Sequence, residues 1–266
     1  MIRRLEETDR HAVLDLLYAH KALNVYLIAD IEHLGFVGRG QRRYGEFVEG
    51  KLVGIASQNR RHVTFYQAHD DVNPAWFELI KTWDCYFISG EKRLLMQFKE
   101  DFDWHLDDMV YTCSSDFERD DSVDYSLIRE LKTDDEARRI YHFLTSIEEL
   151  YSVHAQTEEE YVQYLMMNTG ERGTTAFIED EGRVVASASA VLESTDHAMI
   201  VGVATDPNAR RHGYGKTLMH YLMDVYTNKK DKTVCLYYDD PRAEKLYLRY
   251  GFKPLTEWVM LVKGIE

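Results

Sequence analysis

The stretch ATDPNARRHGYGKTLMHYLM, residues 204–223, decides how this sequence is interpreted. An apolar run, MIVGVATDP, leads into it, and an amphipathic run with helical spacing ends it. Between the two lie Arg210, Gly213 and Gly215. Glycine lets a backbone approach a ligand closely, and the N-terminus of a helix presents N–H groups and a positive dipole end to an anion. The stretch therefore predicts an anion-binding turn between a strand and a helix.

Two well-known glycine-rich nucleotide motifs do not fit this stretch. A Walker A motif that ends in GKT at residues 215–217 needs a glycine at position 210, where Arg210 stands. The dinucleotide fingerprint needs a third glycine at the position of Leu218. The pattern that remains is R-x-x-G-x-G. Further positive charge in the turn comes from Arg211, His212 and Lys216.

A second pattern follows at residues 232–255, KTVCLYYDDPRAEKLYLRYGFKPL. TVCLYY has the composition of a buried strand. Asp240 and Pro241 predict the start of a helix, since proline is favoured in the first helical turn. Gly251 ends that helix, and Phe252 begins a closing strand, FKPLTEWVMLVK. The chain thus repeats a strand–turn–helix unit after the first turn.

The composition predicts a soluble, folded protein. The chain has 266 residues, which is long enough for two small domains. Hydrophobic residues make up 45% of it, so sizeable cores can form, and it has only four prolines. No segment approaches the roughly 20 apolar residues of a membrane span, and the charged N-terminus has no signal-peptide core. These features predict a cytoplasmic location and no membrane partner.

Charge and cysteine content exclude several other classes. The formal net charge of −14 argues against binding nucleic acid, which needs a basic surface. Cys85, Cys113 and Cys235 are too few and too far apart for a disulfide framework or a CxxC metal site, and we expect core thiols. No histidine lies at metal-ligand spacing, so no metal is expected.

Two internal matches indicate a duplication. IRRLEETDRHAVLDLL begins at Ile2, and IRELKTDDEARRIYHFL begins at Ile128. FVEGKLVGIAS begins at Phe47, FIEDEGRVVASAS begins at Phe177, and each predicts a β-hairpin. The offsets are about 126 and about 130 residues. The polar, acidic segment SSDFERDDSV, residues 114–123, suits a linker between the two copies.

The two copies differ where the anion-binding turn is concerned. Each copy begins with a helix, for which Asp9 and Asp134 are the expected N-caps. The counterpart of the turn should fall near residue 80, in NPAWFELIKTWD, which has no glycine and only one basic residue. The first copy is therefore expected to have lost the turn and to be structural or to enclose the substrate.

The second copy resembles the GCN5-related N-acetyltransferases, the GNAT superfamily. R-x-x-G-x-G is followed in that family by a strand, an Asn or Asp, and A-x-x-L-Y-x-x-x-G-F. This chain has the second pattern at Asp240, Ala243, Leu246, Tyr247, Gly251 and Phe252. The resemblance covers about residues 125–263 closely, and tandem members with one degenerate copy look similar to the whole. It implies an α/β (α+β) fold of two GNAT-like units, each a mixed, mostly antiparallel central sheet flanked by helices. The expected domains are residues 1–115, degenerate, and residues 123–266, catalytic.

The resemblance also implies acetyl-coenzyme A as a co-substrate. In the family, pantetheine lies between the strands before and after the turn, here residues 200–205 and 233–238. A backbone N–H at Val203 would polarise the thioester carbonyl. The residues implied to bind the coenzyme are Val203, Ala204, Thr205, Arg210, Arg211, His212, Gly213, Tyr214, Gly215, Lys216, Thr217, Asp240, Ala243 and Tyr247.

Tyr247 occupies the position of the family's general acid. A phenol, with an ordinary pKa of about 10, can protonate a departing thiolate. Tyr247 could otherwise be an aromatic residue packed on a helix face. Asp240 stands where the family often has Asn, and the sequence leaves open whether it contacts the coenzyme or caps the helix.

The general base is not evident, because the strand HAMIVGVATDP has no carboxylate before Asp206. Glu193, with Asp196 and His197 nearby, is one candidate, and Glu148 with its neighbour Glu149 is another. Each of these groups is more typical of a surface. A water relay or an amine that binds in its neutral form would also serve.

The expected reaction is direct attack by a primary amine of a small molecule on acetyl-coenzyme A in a ternary complex. Tyr151, Tyr161 and Tyr164 could line an amine pocket, although such a tyrosine stripe is more often packing. Residues 158–160, three glutamates, are typical of a solvated helix start. The alternatives are a non-catalytic coenzyme A-binding module that serves assembly and an acyltransferase for a longer acyl group. The oligomeric state is open, a homodimer included.

Overall fold

The structure, a computed structural model, describes residues 1–36, 38, 40–99, 101–148, 150–154 and 156–263. The chain forms two compact units. The first comprises Met1–Thr112, Tyr237–Asp239 and Pro254–Glu266, and the second comprises Cys113–Leu236 and Asp240–Lys253. The predicted domains of residues 1–115 and 123–266 divide the chain at one place, whereas the compact units place its last strand with the N-terminal residues.

The element order of the N-terminal half recurs in the C-terminal half. The first series is β1 (Ile2–Arg4), α1 (Arg10–Tyr18), α2 (Val25–Leu34), β2 (Gln41–Val48), β3 (Lys51–Asn59), β4 (His62–Gln67), α3 (Ala75–Lys81), β5 (Phe87–Glu91), α4 (Lys92–Leu95) and β6 (His105–Ser114). The second series is β7 (Ile128–Glu130), α5 (Asp134–Thr145), α6 (Tyr151–His154), α7 (Glu158–Met167), β8 (Thr174–Asp180), β9 (Arg183–Val191), β10 (His197–Thr205), α8 (Tyr214–Met223), β11 (Thr233–Tyr238), α9 (Pro241–Leu248) and β12 (Lys253–Val262). Apart from the short additional helix α6, the two series agree, as the internal sequence matches predict.

Each unit has a mixed, mostly antiparallel sheet. The strand order in the first unit is β1-β2-β3-β4-β5-β12-β6, with β4 and β5 parallel and β5 and β12 antiparallel. The order in the second unit is β11-β10-β9-β8-β7, with β10 and β11 parallel and the other pairs antiparallel. This architecture confirms the predicted fold class.

The two predicted hairpins are both present and have the same turn. Glu49 and Gly50 join β2 to β3 with φ angles of 50° and 80°. Glu181 and Gly182 join β8 to β9 with φ angles of 47° and 76°. Two consecutive positive φ angles are typical of the type I′ turn, whose twist suits a two-residue hairpin.

Strand alternation divides the core of the first unit between two faces of its sheet. Ile55 and Tyr66 are paired across β3 and β4 and belong to the cluster built by α1 and α2. Their neighbours Ala56 and Phe65 belong to the cluster built by α4 and by α3, which contributes Trp76. Because successive side chains of a strand point to opposite faces, helices cover both sides of the sheet.

The second unit also has helices on both faces. Residues of α5 and α7 form one cluster with Phe177, Val184 and Ala204 of β8, β9 and β10. Helix α8 contacts β8, β9 and β10 through a fully buried apolar stripe. The members of that stripe are Leu218, Met219, Leu222 and Met223.

Helix starts follow the sequence closely, with one correction. The N-cap of α5 is Thr133, whose hydroxyl accepts the Glu136 N–H at 3.3 Å, while the Glu136 carboxylate accepts the Thr133 N–H at 3.1 Å. The prediction of Asp134 is thus wrong by one residue, because the capping box needs a hydroxyl three positions before a glutamate. Asp9 stands at the predicted N-cap position of α1, but its carboxylate makes no capping bond to that helix and instead accepts the Glu6 N–H at 2.9 Å and pairs with Arg3.

The segment expected to be a linker is attached to α8 of the second unit. The Asp120 N–H donates to Nε2 of His220 at 3.0 Å, and Nδ1 of His220 lies 2.7 Å from the Tyr125 hydroxyl. Arg119 pairs at 3.3 Å with the buried carboxylate of Asp224. Since a backbone N–H can only donate, Nε2 is the acceptor and the neutral imidazole carries its proton on Nδ1.

Acid should weaken this attachment. Burial lowers the pKa of His220 below its ordinary value of about 6.5. As the pH falls through about 6.5, the unfolded chain takes up a proton at His220 before the folded chain does, so the free energy of unfolding decreases. Between about pH 7.5 and 5.5, we therefore expect Tm to fall less in His220→Gln than in the natural protein.

Gln is chosen because its amide can both donate and accept, as the neutral imidazole does. His11→Gln is the control, since the side chain of His11 is 93% exposed. Thermal melts at both pH values measure the difference. Equal losses of Tm in the natural protein and in His220→Gln would contradict the prediction.

Candidate functional site

The parallel strands β10 and β11 part in the middle of the second unit. Their paired residues are His197 with Thr233, Ala198 with Val234 and Met199 with Cys235. β10 continues to Thr205, so its carboxyl half extends beyond the registered pairs. The parting agrees with the expectation for residues 200–205 of β10, whereas on β11 it begins only after Cys235, because residues 233–235 are still paired.

The other edge of β10 is interrupted at the same level. Val201 pairs with Ser189 and Ala204 with Ser187, so Gly202 and Val203 together stand opposite Ala188. This is a β-bulge, which removes the extra residue from regular pairing, and Gly202 has a φ of 61° there. The bulge therefore takes the backbone of Val203 out of the regular pairing between β9 and β10.

The turn that follows β10 is held by its own residues. The Asp206 carboxylate accepts the Asn208 N–H at 2.8 Å, and the Ala209 N–H donates to the Asp206 carbonyl at 2.8 Å. Nε of Arg210 donates to the Thr205 carbonyl at 3.4 Å. These contacts fix the path from the strand to the helix before any ligand binds.

Gly213 sets the direction in which α8 begins. It is the N-cap, with φ 85° and ψ 0°, a left-handed conformation that costs other residues about 1–2 kcal/mol. The Thr217 N–H donates to the Gly213 carbonyl at 2.9 Å, so the N–H groups of Tyr214, Gly215 and Lys216 precede the first intrahelical bond. A Cβ on Gly215 would lie 3.2 Å from the Thr205 hydroxyl oxygen, which shows how closely the helix start approaches β10.

These elements surround a surface cavity of about 290 Å³. Its walls are formed by Thr205, Arg210, Arg211, Gly213, Tyr214, Gly215 and Lys216. The side chains of Arg210, Arg211 and Lys216 are exposed. The cavity thus combines helix N–H groups with three positive side chains, the combination that binds phosphate groups.

His212 flanks the cavity without being part of its wall. Nδ1 of His212 lies 3.1 Å from the Ala209 carbonyl, and its ring stacks on Tyr214 at 5.7 Å between centroids. The imidazole is exposed. Its place beside the turn is consistent with the predicted contact to a bound anion.

Helix α9 starts at the same edge of the sheet as this turn, because the carboxyl ends of parallel strands share an edge. The Asp240 carbonyl accepts the N–H groups of Ala243 at 2.9 Å and Glu244 at 3.3 Å, so Asp240 is in the N-cap position of α9. Ala243 is half-buried on the helix, and Tyr247 is buried. The Tyr247 ring meets Phe252 edge-on at 5.9 Å. The second pattern is thereby assembled as one helix beside the turn.

The described contacts place neither Glu193 nor Glu148, the two candidate bases, beside this turn. Glu193 is buried and paired with Lys230 at 2.7 Å and Lys232 at 3.2 Å, at the amino ends of β10 and β11. At roughly 3.3 Å per residue, the strand from His197 to Val203 spans about 20 Å, which separates Glu193 from Val203. An ion-pair role therefore replaces the predicted role of Glu193 as base.

Glu148 is exposed in the turn after α5. Its neighbour Glu149 lies outside the described residues. The segment that bears Glu148 leads into the helices packed on Ala204. Glu148 thus remains a prediction as base, on the side of the sheet that carries α5 and α7.

The tyrosines of α7 serve as packing. Tyr161 belongs to the core cluster, and its ring lies 5.7 Å from Tyr141 and 5.8 Å from Tyr164. Burial raises the pKa of Tyr164 to about 12. Glu160 forms a capping box with Thr157, as a helix start predicts. The side chain of Tyr151, the third candidate, lies outside the described part of the chain.

In the first unit, the counterpart of the turn is closed by its own side chains. Residues 68–74 join β4 to α3. The Gln67 amide donates to the carbonyls of His69 at 3.0 Å and Asp71 at 2.8 Å, and the Gln97 amide donates to the Asp70 carbonyl at 2.7 Å. The Gln97 carbonyl oxygen in turn accepts the Val72 N–H at 3.1 Å. Three carbonyls and one N–H of this segment are thus bonded to the side chains of Gln67 and Gln97.

Sequence reasoning missed two residues of the site. Gly202 forms the bulge, and a glycine inside an apolar strand is a signal for such a bulge. Tyr250 donates its phenol to the Lys216 carbonyl at 2.8 Å, and no local sequence pattern announces that contact.

Within the described ranges, no group of three or more His, Cys, Asp or Glu is arranged to hold a metal ion. None of the helices described above has both the length and the apolar character needed to cross a membrane.

Gly213 should be more important for anion binding than for stability. Gly213→Ala forces a side chain into φ 85°, and Gly182→Ala does the same at φ 76° in a hairpin turn, with no atom within 4 Å of either new Cβ. Each change should destabilise by about 1 kcal/mol and lower Tm by roughly 2–4 °C. Only Gly213→Ala should weaken the binding of inorganic pyrophosphate, by several-fold in titration calorimetry, because only there does the strain act on the start of α8. Equal pyrophosphate affinities in the two variants would refute this assignment of the turn.

Comparisons with known proteins agree with this geometry. Residues 137–252 match the model of the Acetyltransferase (GNAT) family. No curated protein sequence matches the chain. Among solved structures, the chain is similar to a Drosophila protein (14% identity, 98% of each chain covered, TM-score 0.71). It is also similar to a GCN5-related N-acetyltransferase from Sphaerobacter thermophilus (15% identity, 98% of this chain and 94% of that one, TM-score 0.65).

A tandem GNAT protein from the clavulanic acid biosynthesis pathway, solved without AcCoA, is similar over the same length (13% identity, 98% of this chain and 97% of that one, TM-score 0.59). At these identities the solved structures establish the fold alone. The family model covers the turn, α8, β11 and α9, that is, both sequence patterns. The comparisons therefore support the GNAT superfamily for residues 137–252 and its fold for the chain.

Proposed function

We propose that this protein is an N-acetyltransferase that moves the acetyl group of acetyl-coenzyme A to a primary amine of a small molecule. The observation that carries the proposal is the pre-formed anion turn at the end of two parted strands, within the residues that match the family model. The turn has open helix N–H groups, positive side chains and a glycine-dependent start, all of which suit a diphosphate.

The residues present fit the coenzyme in two places. The diphosphate matches the start of α8, with Arg210, Arg211 and Lys216 around it. The extended, amide-containing pantetheine matches the gap between β10 and β11, because the unpaired edge of β10 offers backbone groups to a strand-like ligand. The bulge at Gly202 and Val203 places one N–H of β10 out of register, suitable for the thioester carbonyl.

The reaction needs a group that stabilises negative charge, a proton donor and a proton acceptor. The Val203 N–H would stabilise the negative charge that develops on the carbonyl oxygen as the amine nitrogen attacks the acyl carbon. As the carbon–sulfur bond breaks, the Tyr247 phenol would donate its proton to the thiolate. The proton that the attacking nitrogen loses passes to water or to a carboxylate such as Glu148, and a proton from water restores the Tyr247 phenol. The products are the N-acetylated amine and free coenzyme A, so atoms and charge balance.

The proposed partner is a small amine rather than nucleic acid or a membrane. The chain carries a formal net charge of −14, which favours cationic molecules near its surface. The described contacts of Tyr161 and Tyr164 are with other aromatic rings, so they do not single out an amine.

Two measurements test the function together. Titration calorimetry with coenzyme A tests the turn, and release of free thiol from acetyl-coenzyme A in the presence of a panel of amines tests turnover. We expect binding and amine-dependent release. Binding without release for any amine would favour a non-catalytic coenzyme A-binding module, and release only with longer acyl donors would favour a different acyltransferase. Absence of binding would reject the proposal.

Tyr247→Phe should separate binding from chemistry. Removing the phenol should lower kcat by about 10²-fold, the lower end of the range for general acid catalysis. Affinity for coenzyme A should be unchanged, because the ring and its contact with Phe252 remain. Thiol-release kinetics and calorimetry measure the two quantities.

Tyr221→Phe is the control, since Tyr221 donates its phenol to Glu130, on the edge strand β7. It should leave kcat within about twofold of the natural value. A Tyr247→Phe variant with natural kcat would show that the phenol is not the acid.

A further inference from the structure

Tyr250 connects two helices of the second unit that flank the proposed site. Its phenol O–H donates to the Lys216 carbonyl at 2.8 Å. Lys216 is the third residue of α8, within the turn that would bind the diphosphate. Tyr250 is 4% exposed, and burial raises the pKa of its phenol, so the hydroxyl remains a donor at physiological pH.

The backbone of Tyr250 is bonded to the end of α9. Its N–H donates to the Tyr247 carbonyl at 2.9 Å, and the Phe252 N–H donates to the same oxygen at 3.3 Å. The residue proposed as general acid is thus held from its carbonyl by the same turn that carries Tyr250. The side chain and the backbone N–H of Tyr250 therefore join the start of α8 to the end of α9.

The segment before β7 holds the Tyr250 ring in place. The Ser114 hydroxyl donates to the Tyr250 carbonyl at 2.8 Å. The Phe117 ring lies 5.8 Å from the Tyr250 ring and 4.9 Å from His220 of α8. Because the ring is packed between this segment and α8, its phenol has one direction available.

We propose that Tyr250 is a positioning residue, which fixes the diphosphate-binding turn of α8 relative to the helix that bears Tyr247. This inference rests on the proposed function. Acetyl transfer needs the sulfur, held through the coenzyme by α8, to meet the proton of Tyr247 on α9. A shift of about 1 Å between two such groups costs up to about 10²-fold in rate. The contact from Tyr250 to Lys216 is the described bond that spans this gap.

Tyr250→Phe removes the hydroxyl and keeps the packed ring. Tyr226→Phe is the matched control, since Tyr226 is also fully buried in the second unit and donates its phenol to the Thr174 hydroxyl at 3.2 Å. Tyr226 follows α8 and so lies at the end of that helix remote from the turn. Both variants lose buried phenol hydrogen bonding and keep the packed ring, and their losses of Tm should be similar.

Three measurements distinguish positioning from general stability. They are the dissociation constant of coenzyme A, the kcat and KM for acetyl-coenzyme A, and amide hydrogen exchange of residues 210–218 in the ligand-free protein. We expect Tyr250→Phe to weaken coenzyme A binding about three- to tenfold, to lower kcat and to speed exchange in that segment. Tyr226→Phe should match the natural protein in all three.

Each outcome decides the question. If Tyr250→Phe behaves as Tyr226→Phe does in binding, kinetics and exchange, the positioning role is wrong while the proposed function stands. If the natural protein binds no coenzyme A, the proposed function fails. Exchange then decides alone, because faster exchange of residues 210–218 only in Tyr250→Phe supports a turn fixed by Tyr250, and equal exchange refutes it.

Discussion

The parting of β10 from β11 is the constraint on which the rest of the second unit depends. Parallel pairing ends at Met199 and Cys235, and the bulge at Val203 disturbs the opposite edge of β10 at nearly the same level. A buried backbone group without a partner costs about 1–3 kcal/mol, so a sheet tolerates such a gap only where water or a ligand completes it. The gap, the bulge and the turn follow one another along the chain, from the last paired residue of β10 to the start of α8.

The two units have the same order of strands and helices but differ in the segment between the strand and the helix that follows it. The strands and helices recur in the same order, and each unit has one parallel pair. In the second unit, Gly213 starts α8 with open N–H groups. In the first, Gln67 and Gln97 bond the carbonyls of the corresponding segment, and Asp70 pairs with Arg93 at 2.6 Å. The same order of elements thus carries differently bonded segments at this place, so the fold alone does not determine the site.

Local patterns in the sequence predicted what local physics controls. The glycine spacing around Gly213 and the two hairpin turns each depend on a few neighbouring residues, and the structure has both, whereas the N-cap of α5 lies one residue before the predicted one. Contacts between distant residues were not predictable in the same way. β12 follows α9 in the chain but pairs with β5. The ion pairs of Glu193 with Lys230 and Lys232 likewise have no signal in the strand that Glu193 precedes. Strand order and ion pairing depend on which surfaces meet, and no single segment contains that information.

The strongly acidic character of the chain does not conflict with an anion site at α8. At physiological ionic strength, charges separated by more than about 8 Å are largely screened, so distant carboxylates have little effect on the turn. Within that range, Arg210, Arg211 and Lys216 surround the helix start, and the helix dipole adds to their field. The net charge instead acts at longer distance, where it raises the concentration of cations near the surface. The net charge of the chain and the local positive charge of the turn therefore act over different distances.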